Sequence, residues 1–497
     1  MRKKLLSILV LSVLGASTFV GCAPSTLTIL SISEGNVSVM KAGAASWIEA
    51  EVGMSVEVGD SIKTGGNSSA EITFFDGSTV ELQAGTEIEI TSLDVPTDTD
   101  STTIVLGQTI GSIIFRVTKI IDPASRYEVE TPTGTVAIRG SGVQITVTED
   151  RTTFVINLEG DIWAVAQGVE LQIPEGRQCV IRPSQSPEFI VEVNDPNLEA
   201  AIREAIGKLT GDIYASDLEG LTSLTATERN ITDLTGLEYC TGLTYLNLRY
   251  NHISDISTLA DCRRLTELYL ADNDISDISP LANLTNLTLV NLGLNQIGDI
   301  SPLANLTSLD WLNLGTNEIS DISPLANLTN LTALGLYGNQ ISDISPLTNL
   351  TSLTELYLAY NQISDISPLA NLTSLTGFGL SGHSIEEVWG LVDLTELTWL
   401  ELSDGQISDI SALADCSKLT ELHLDYNQIG DISPLANLTN LTELWLLDNQ
   451  ISDISPLVDN EGLSEGDLVV LERNPLSADS MNIYIPQLEA RGVIVDH

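Results

Sequence analysis

Leu265-Thr266-Glu267-Leu268-Tyr269-Leu270-Ala271-Asp272-Asn273 and Leu353-Thr354-Glu355-Leu356-Tyr357-Leu358-Ala359-Tyr360-Asn361 are almost the same nine residues, met twice in one chain. The asparagine that ends them recurs at Asn251, Asn273, Asn295, Asn317, Asn339 and Asn361, then at Asn427 and Asn449, always on a spacing of 22 residues. Arg229, His383 and Gly405 occupy the same register without being asparagine. A fixed period of this length marks a solenoid: each unit is too small to bury its own apolar face, and stacked units share one continuous core. In LxxLxLxxN the leucines point inward and successive short strands stack into a parallel sheet. The asparagine has the donors and acceptor to satisfy backbone groups in the turn that follows each strand, so a column of them predicts a ladder.

Most units continue as Ile275-Ser276-Asp277-Ile278-Ser279-Pro280-Leu281-Ala282-Asn283-Leu284-Thr285 or a close variant. With that tail, the pattern resembles leucine-rich repeats of the internalin type. The resemblance covers about residues 193–497 and implies a solenoid with a parallel sheet on its concave face and short 3-10 or irregular turns on its convex side. In the tail, Ser279 is expected to cap a short helical turn, with Pro280 at its first position. Asp195-Pro196-Asn197-Leu198-Glu199-Ala200-Ala201-Ile202-Arg203-Glu204-Ala205-Ile206 reads as a capped amphipathic helix that covers the N-terminal end of the core. At the far end the spacing loosens, with Asn474 lying 25 residues after Asn449, and Ile483 to Val495 is expected to close the array. His383 and Gly405 interrupt the ladder, and Ile385-Glu386-Glu387-Val388-Trp389 replaces the usual tail, so an irregularity is expected there.

Two polar columns invite sharper readings. Asp255, Asp277, Asp299, Asp321, Asp343, Asp365, Asp409, Asp431 and Asp453 form one. Calcium takes six to eight oxygens, and a ladder offers one carboxylate per level, so these acids are read as turn caps. Cys240, Cys262 and Cys416 share a column that carries Leu elsewhere, as at Leu284, and are read as buried thiols, with a Cys240–Cys262 disulfide as the alternative. His252, His383, His423 and His497 are too scattered to suggest a metal cluster, and no motif calls for a cofactor.

Residues 27–190 have another texture, rich in Thr, Ser, Val and Ile and punctuated by glycine. Ser69-Ala70-Glu71-Ile72-Thr73-Phe74 alternates as a strand does, Asp76-Gly77 turns the chain, and Thr79-Val80-Glu81-Leu82 alternates again. An all-β domain follows. Gly59-Asp60-Ser61-Ile62-Lys63-Thr64-Gly65, Phe75-Asp76-Gly77-Ser78 and Thr131-Pro132-Thr133-Gly134-Thr135-Val136-Ala137-Ile138-Arg139-Gly140 resemble the FecR-like domain of bacterial envelope proteins. Members that control a sigma factor carry a cytoplasmic segment and a membrane helix ahead of this domain. Here the preceding segment reads as an export signal, so that role is not carried over. Arg139 either holds a ligand or stabilises a tight β corner.

Residues 1–22 have a positive start (Arg2, Lys3, Lys4), an apolar run from Leu5 to about Leu14, and a Gly21-Cys22 junction. The run is shorter than the ~20 residues of a membrane helix. The junction resembles a bacterial lipobox, which implies lipidation at Cys22 and an extracytoplasmic protein held by its N-terminal lipid. The chain is strongly acidic: 68 Asp+Glu face 21 Lys+Arg across 497 residues, a formal charge of -47. No Lys or Arg stands between Arg264 and Lys418. Such a surface repels phosphate backbones and anionic lipid headgroups, which excludes nucleic acid as a partner.

Leucine-rich repeats bind through the concave strand face. The outward positions hold Tyr245, Tyr269, Trp311, Tyr337, Tyr357, Trp399, His423 and Trp445, with Glu267, Glu355, Glu401, Glu421, Asp425 and Glu443 among them. Tyr and Trp on an open strand face are typical binding anchors, and only 5% of the chain is aromatic. Trp311, Tyr337 and Tyr357 are expected to form a strip across three consecutive turns, flanked by Glu355 and Glu267. The chain therefore reads as a lipid-anchored binding protein for a protein or glycan, adhesion-like. An envelope sensor or scaffold is the alternative. No nucleophile elbow, HExxH or P-loop is present, so an enzyme is not expected.

Overall fold

The structure is a computed structural model and describes residues 27–94, 101–118, 122, 124–383, 385–386 and 388–497. The expected export signal and Cys22 lie outside the described residues. The chain divides into two compact units, Met1–Ile190 and Val191–His497. No helix among the described residues is long and apolar enough to cross a membrane.

The first unit is all β among its described residues. Period-two alternation drives it: in Ser69–Thr73 buried and half-buried residues alternate, and the strand pairs antiparallel with Thr79–Leu82. The turn between them is held by Asp76, whose carboxylate accepts from Ser78 N–H at 2.9 Å, Ser78 Oγ at 2.8 Å and Tyr127 Oη at 2.9 Å. The long strand Thr103–Arg116 organises the rest. Its first half pairs with Glu87–Asp94 and Arg126–Glu130, its second half with Thr79–Leu82 and Gly142–Val147. The two halves meet at Gly111, where φ is 92° and a Cβ would stand 2.3 Å from Thr86 Cα. Only glycine fits that position. Asp60 of the Gly59–Gly65 segment is buried and structural. It accepts from Lys41 Nζ at 2.7 Å and from the N–H of Ala42 and Glu57 at 2.9 and 3.0 Å. Burial pushes its pKa up, but these donors together hold it below the ordinary value. Arg139 is exposed rather than buried, with its guanidinium 5.8 Å from the Trp163 ring, and its N–H donates to Asp161 O at 2.8 Å in the close corner where a Cβ on Gly140 would stand 2.6 Å from Gly160 Cα.

The second unit is the solenoid. Thirteen parallel strands of three residues run from Ser223–Thr225 to Ile494–Asp496 in one sheet. Their middle residues, from Leu224 through Leu312 to Val469, are buried, as are the leucines of the following turns. Each fully buried leucine contributes about 2 kcal/mol, so a one-residue slip in register would forfeit an entire column. The Pro196–Ile206 helix covers the N-terminal end. Asp195 caps it, taking Asn197 N–H at 2.9 Å and Leu198 N–H at 3.1 Å, and Gly207 ends it at φ 69°. At the other end Ile485, Leu488 and Val493 are buried against the core.

The asparagine ladder is present. Asn317 is representative: its Nδ2 donates to Leu292 O and Leu314 O, each at 3.0 Å, and its Oδ1 accepts from Ile297 N–H at 3.0 Å. The aspartate column caps turns throughout: Asp277 Oδ1 takes Ser279 N–H at 2.8 Å, and eight other levels repeat this. The serine is therefore not the cap. Ser279 lies inside the 3-10 turn Ser279–Asn283, and the residue before that turn, Ile278, has no polar side-chain atom to offer, so Asp277 supplies the acceptor. Cys240, Cys262 and Cys416 are buried and free, not bridged. Burial pushes the first two thiols up to about 12 and the third to about 11.

Candidate binding face of the solenoid

Strand alternation turns the first and third residue of each rung away from the core. Tyr245, Trp311 and Trp399 open their strands, and Tyr269, Tyr357, His423 and Trp445 close theirs. Tyr337 comes later, beyond Leu336. All eight are half-buried except Tyr357, which is exposed. They do not form one strip. Tyr245 and Tyr269 pair with ring centroids 5.5 Å apart, and Arg249 stands 5.4 Å from the Tyr269 ring. Tyr357 and Trp399 pair at 5.8 Å. His423 and Trp445 stack at 5.6 Å, 14° from parallel.

Trp311, Tyr337 and Tyr357 do lie on three consecutive turns, but in three different columns. Register pairs Trp311 with Ala333 and Glu355, and Tyr357 with Gly335 and Asn313. The three rings therefore surround a hollow of about 220 Å³ whose floor is Ala333, Leu334 and Gly335. Glu355 flanks it and accepts from Tyr357 Oη at 3.2 Å. Glu267 does not: it stands two rungs from Trp311 and accepts from Tyr269 Oη at 3.2 Å. Burial and the neighbouring carboxylate raise both phenols above the ordinary 10.0, so each remains a donor.

Glycine makes this geometry. A Cβ on Gly315 would stand 2.3 Å from the Tyr337 ring, and one on Gly379 would stand 3.0 Å from Trp399. The rings lie across neighbouring turns that lack side chains. Reading columns for aromatics alone missed these residues. Glycine in or just after a strand, as at Gly379 and Gly315, was the available signal.

A second column also escaped that reading. The residue before each ladder position is left-handed: Tyr250, Leu294, Tyr360 and Tyr426 have φ between 56° and 60° and are exposed. The leucine template does not mark this position, although it adds three tyrosines to the exposed surface. The C-terminal rungs gather acids around His423. Its Nε2 is 2.8 Å from Glu421 Oε1, Trp399 Nε1 donates to the same oxygen at 3.2 Å, and Trp445 Nε1 donates to Glu443 Oε1 at 2.7 Å. Asp425, pushed up by burial, takes Leu447 N–H at 2.9 Å.

A family model described as Leucine Rich repeats (2 copies) matches residues 263–305, 307–349, 351–388, 395–437 and 417–459, and one described as Leucine Rich repeat matches 239–256. A model described as FecR protein matches residues 60–162. No match was found among curated proteins. Among solved structures, an internalin (inlF) of Listeria monocytogenes is 39% identical, with a TM-score of 0.58 over 61% of this chain and 89% of that one. Internalin C2 of the same organism is 34% identical over 47% of this chain and 93% of its own, with a TM-score of 0.38. By its repeat unit, and by its identity to most of the length of an internalin, the chain belongs to the internalin family of leucine-rich-repeat proteins and carries a FecR domain ahead of its repeats.

Proposed function

We propose that this is a lipid-anchored cell-envelope binding protein that holds a protein or glycan ligand on the strand face of its solenoid, in the manner of an adhesin. The observation that carries this is the hollow ringed by Trp311, Tyr337 and Tyr357 over a floor of Ala333 and Gly335. Large rigid rings around a cleft with a small-residue floor concentrate binding energy. The acidic rim suits a neutral or cationic ligand. In this reading residues 27–190 and 193–497 are separately folding domains, the first a stalk or second binding module.

The solenoid, used as bait against envelope and culture-medium fractions, isolates the ligand. Trp311→Ala combined with Tyr357→Ala then weakens binding about tenfold or more, while the melting temperature barely moves because both side chains point outward. Undiminished binding by the double variant sinks the assignment of this face. The anchor is tested separately, since Cys22→Ser releases the protein into the soluble fraction. The match of residues 60–162 to the FecR model supports a second reading, an envelope sensor or scaffold. A sigma-factor gene beside this one would favour it.

A further inference from the structure

The carboxylates around His423 have a consequence beyond ligand binding. Glu421 and Glu443 are direct partners in adjacent parallel strands, and like charges placed opposite one another destabilise a sheet. No Lys or Arg occurs between Lys418 and Arg473. Both flanking cations are engaged elsewhere, Lys418 with Glu396 and Arg473 with Asp448. The pair of acids therefore has no basic side chain from this stretch to neutralise it. His423 lies on the same face, and one ligand atom each from Glu421, His423 and Glu443 falls within 4.8 Å of the other two. All three residues are half-buried.

We infer that Glu421, His423 and Glu443 form a binding site for a divalent transition-metal ion of the zinc type. One imidazole nitrogen and two carboxylate oxygens are a donor set for such an ion, whose bonds to them run ~2.0–2.2 Å. Calcium and magnesium, which prefer oxygen alone, are disfavoured. The rungs supply a rigid frame, since Leu422 and Leu444 between the ligands are fully buried. Outer partners orient the ligands: Trp445 stacks on the imidazole and donates to Glu443, and Trp399 donates to Glu421. Binding replaces the bond between His423 and Glu421 with two bonds to the ion, and requires the imidazole neutral. The histidines are scattered in sequence, as their spacing indicates, but the 22-residue register sets carboxylates beside one of them. The face opens to solvent, which leaves at least one coordination position for water or for a group from a partner.

The test is titration of the full chain with zinc by calorimetry, and with cobalt by visible absorption, at neutral pH and moderate salt. One ion per chain is expected, with a cobalt band of low-coordination intensity. His423→Ala and, separately, Glu443→Gln should each weaken binding at least tenfold with unchanged circular dichroism. Three results overturn the site: no saturable binding, binding unaltered in both variants, or binding equal for zinc and magnesium, which would be screening by the acidic surface. His423 and Trp445 also belong to the proposed binding face, but this assay reads the ion alone. Its failure is distinct from failure of the ligand-binding reading.

Discussion

The stretch from Asn251 to Asn361 and the stretch around His383 and Gly405 share one repeat, one period and one core, yet they solve the turn after the strand differently. In the first, each asparagine serves at least two carbonyls and at least one N–H across neighbouring turns, as Asn273 does. In the second, His383 Nε2 donates to Leu358 O at 3.0 Å, which replaces one of those bonds. Its Nδ1 is buried without a partner, and among the described residues no bond from Ile363 N–H reaches it as Ile341 N–H reaches Asn361. Gly405 offers no side chain at all. The convex turns change with the ladder: five-residue 3-10 turns shrink to Trp389–Leu391 and Ser411–Leu413, and Trp389 is left 54% exposed beside a hollow of about 450 Å³. The leucine columns set the sheet, while the ladder sets how regular the other side is.

Breaking the regular stretch should cost most. Asn317→Ala removes two donors and one acceptor from a buried site, and about 3 kcal/mol of stability should be lost in urea unfolding, at ~1–3 kcal/mol for each group left unsatisfied. A loss no larger than that of a surface substitution would mean the ladder is decorative. Next in size is a steric test of the irregular turn. A Cβ at Gly390 would stand 2.3 Å from Ile366 O. Gly390→Ala should cost about 2 kcal/mol, whereas Gly430→Ala, whose nearest neighbour is Gln450 O at 3.7 Å, should cost far less.

Restoring the ladder sharpens the comparison in the other direction. His383→Asn should gain about 1 kcal/mol by supplying the missing acceptor. It should also flatten a pH dependence. Burial pushes the His383 pKa below its ordinary 6.5, with the bond to Leu358 O opposing. The unfolded chain therefore takes up this proton first as pH falls, and stability is lost from about 6.5 down to the lowered folded value. Melting curves of wild type and variant should converge in slope above that window and diverge within it. The smallest effect concerns the left-handed column. Thr316 is β-branched and sits at φ 56°, so Thr316→Gly should gain about 0.5 kcal/mol, relief of strain outweighing the entropy of glycine. No gain would show that its surroundings already compensate.

The sequence by itself determined the solenoid, the order and direction of its strands, its inward columns, the Asp195 helix cap and the place of the break. Residues 22 apart must become neighbours when a repeat stacks, whatever their side chains. It also marked the outward columns, because period two leaves no choice of face. What the tertiary structure decided was which side chains on that face meet. Tyr337 reaches across Gly315 and Trp399 across Gly379 because glycine on the neighbouring turn leaves room, so three rings enclose a hollow where their columns suggested a strip. His423 meets Glu421 and Glu443 through cross-strand register combined with rotamer. Asp277 caps in place of Ser279 because the turn begins one residue earlier than the serine-proline pair implies. Period fixes neighbours along the stack, while the reach of a long side chain across columns depends on the volume of the residue beside it.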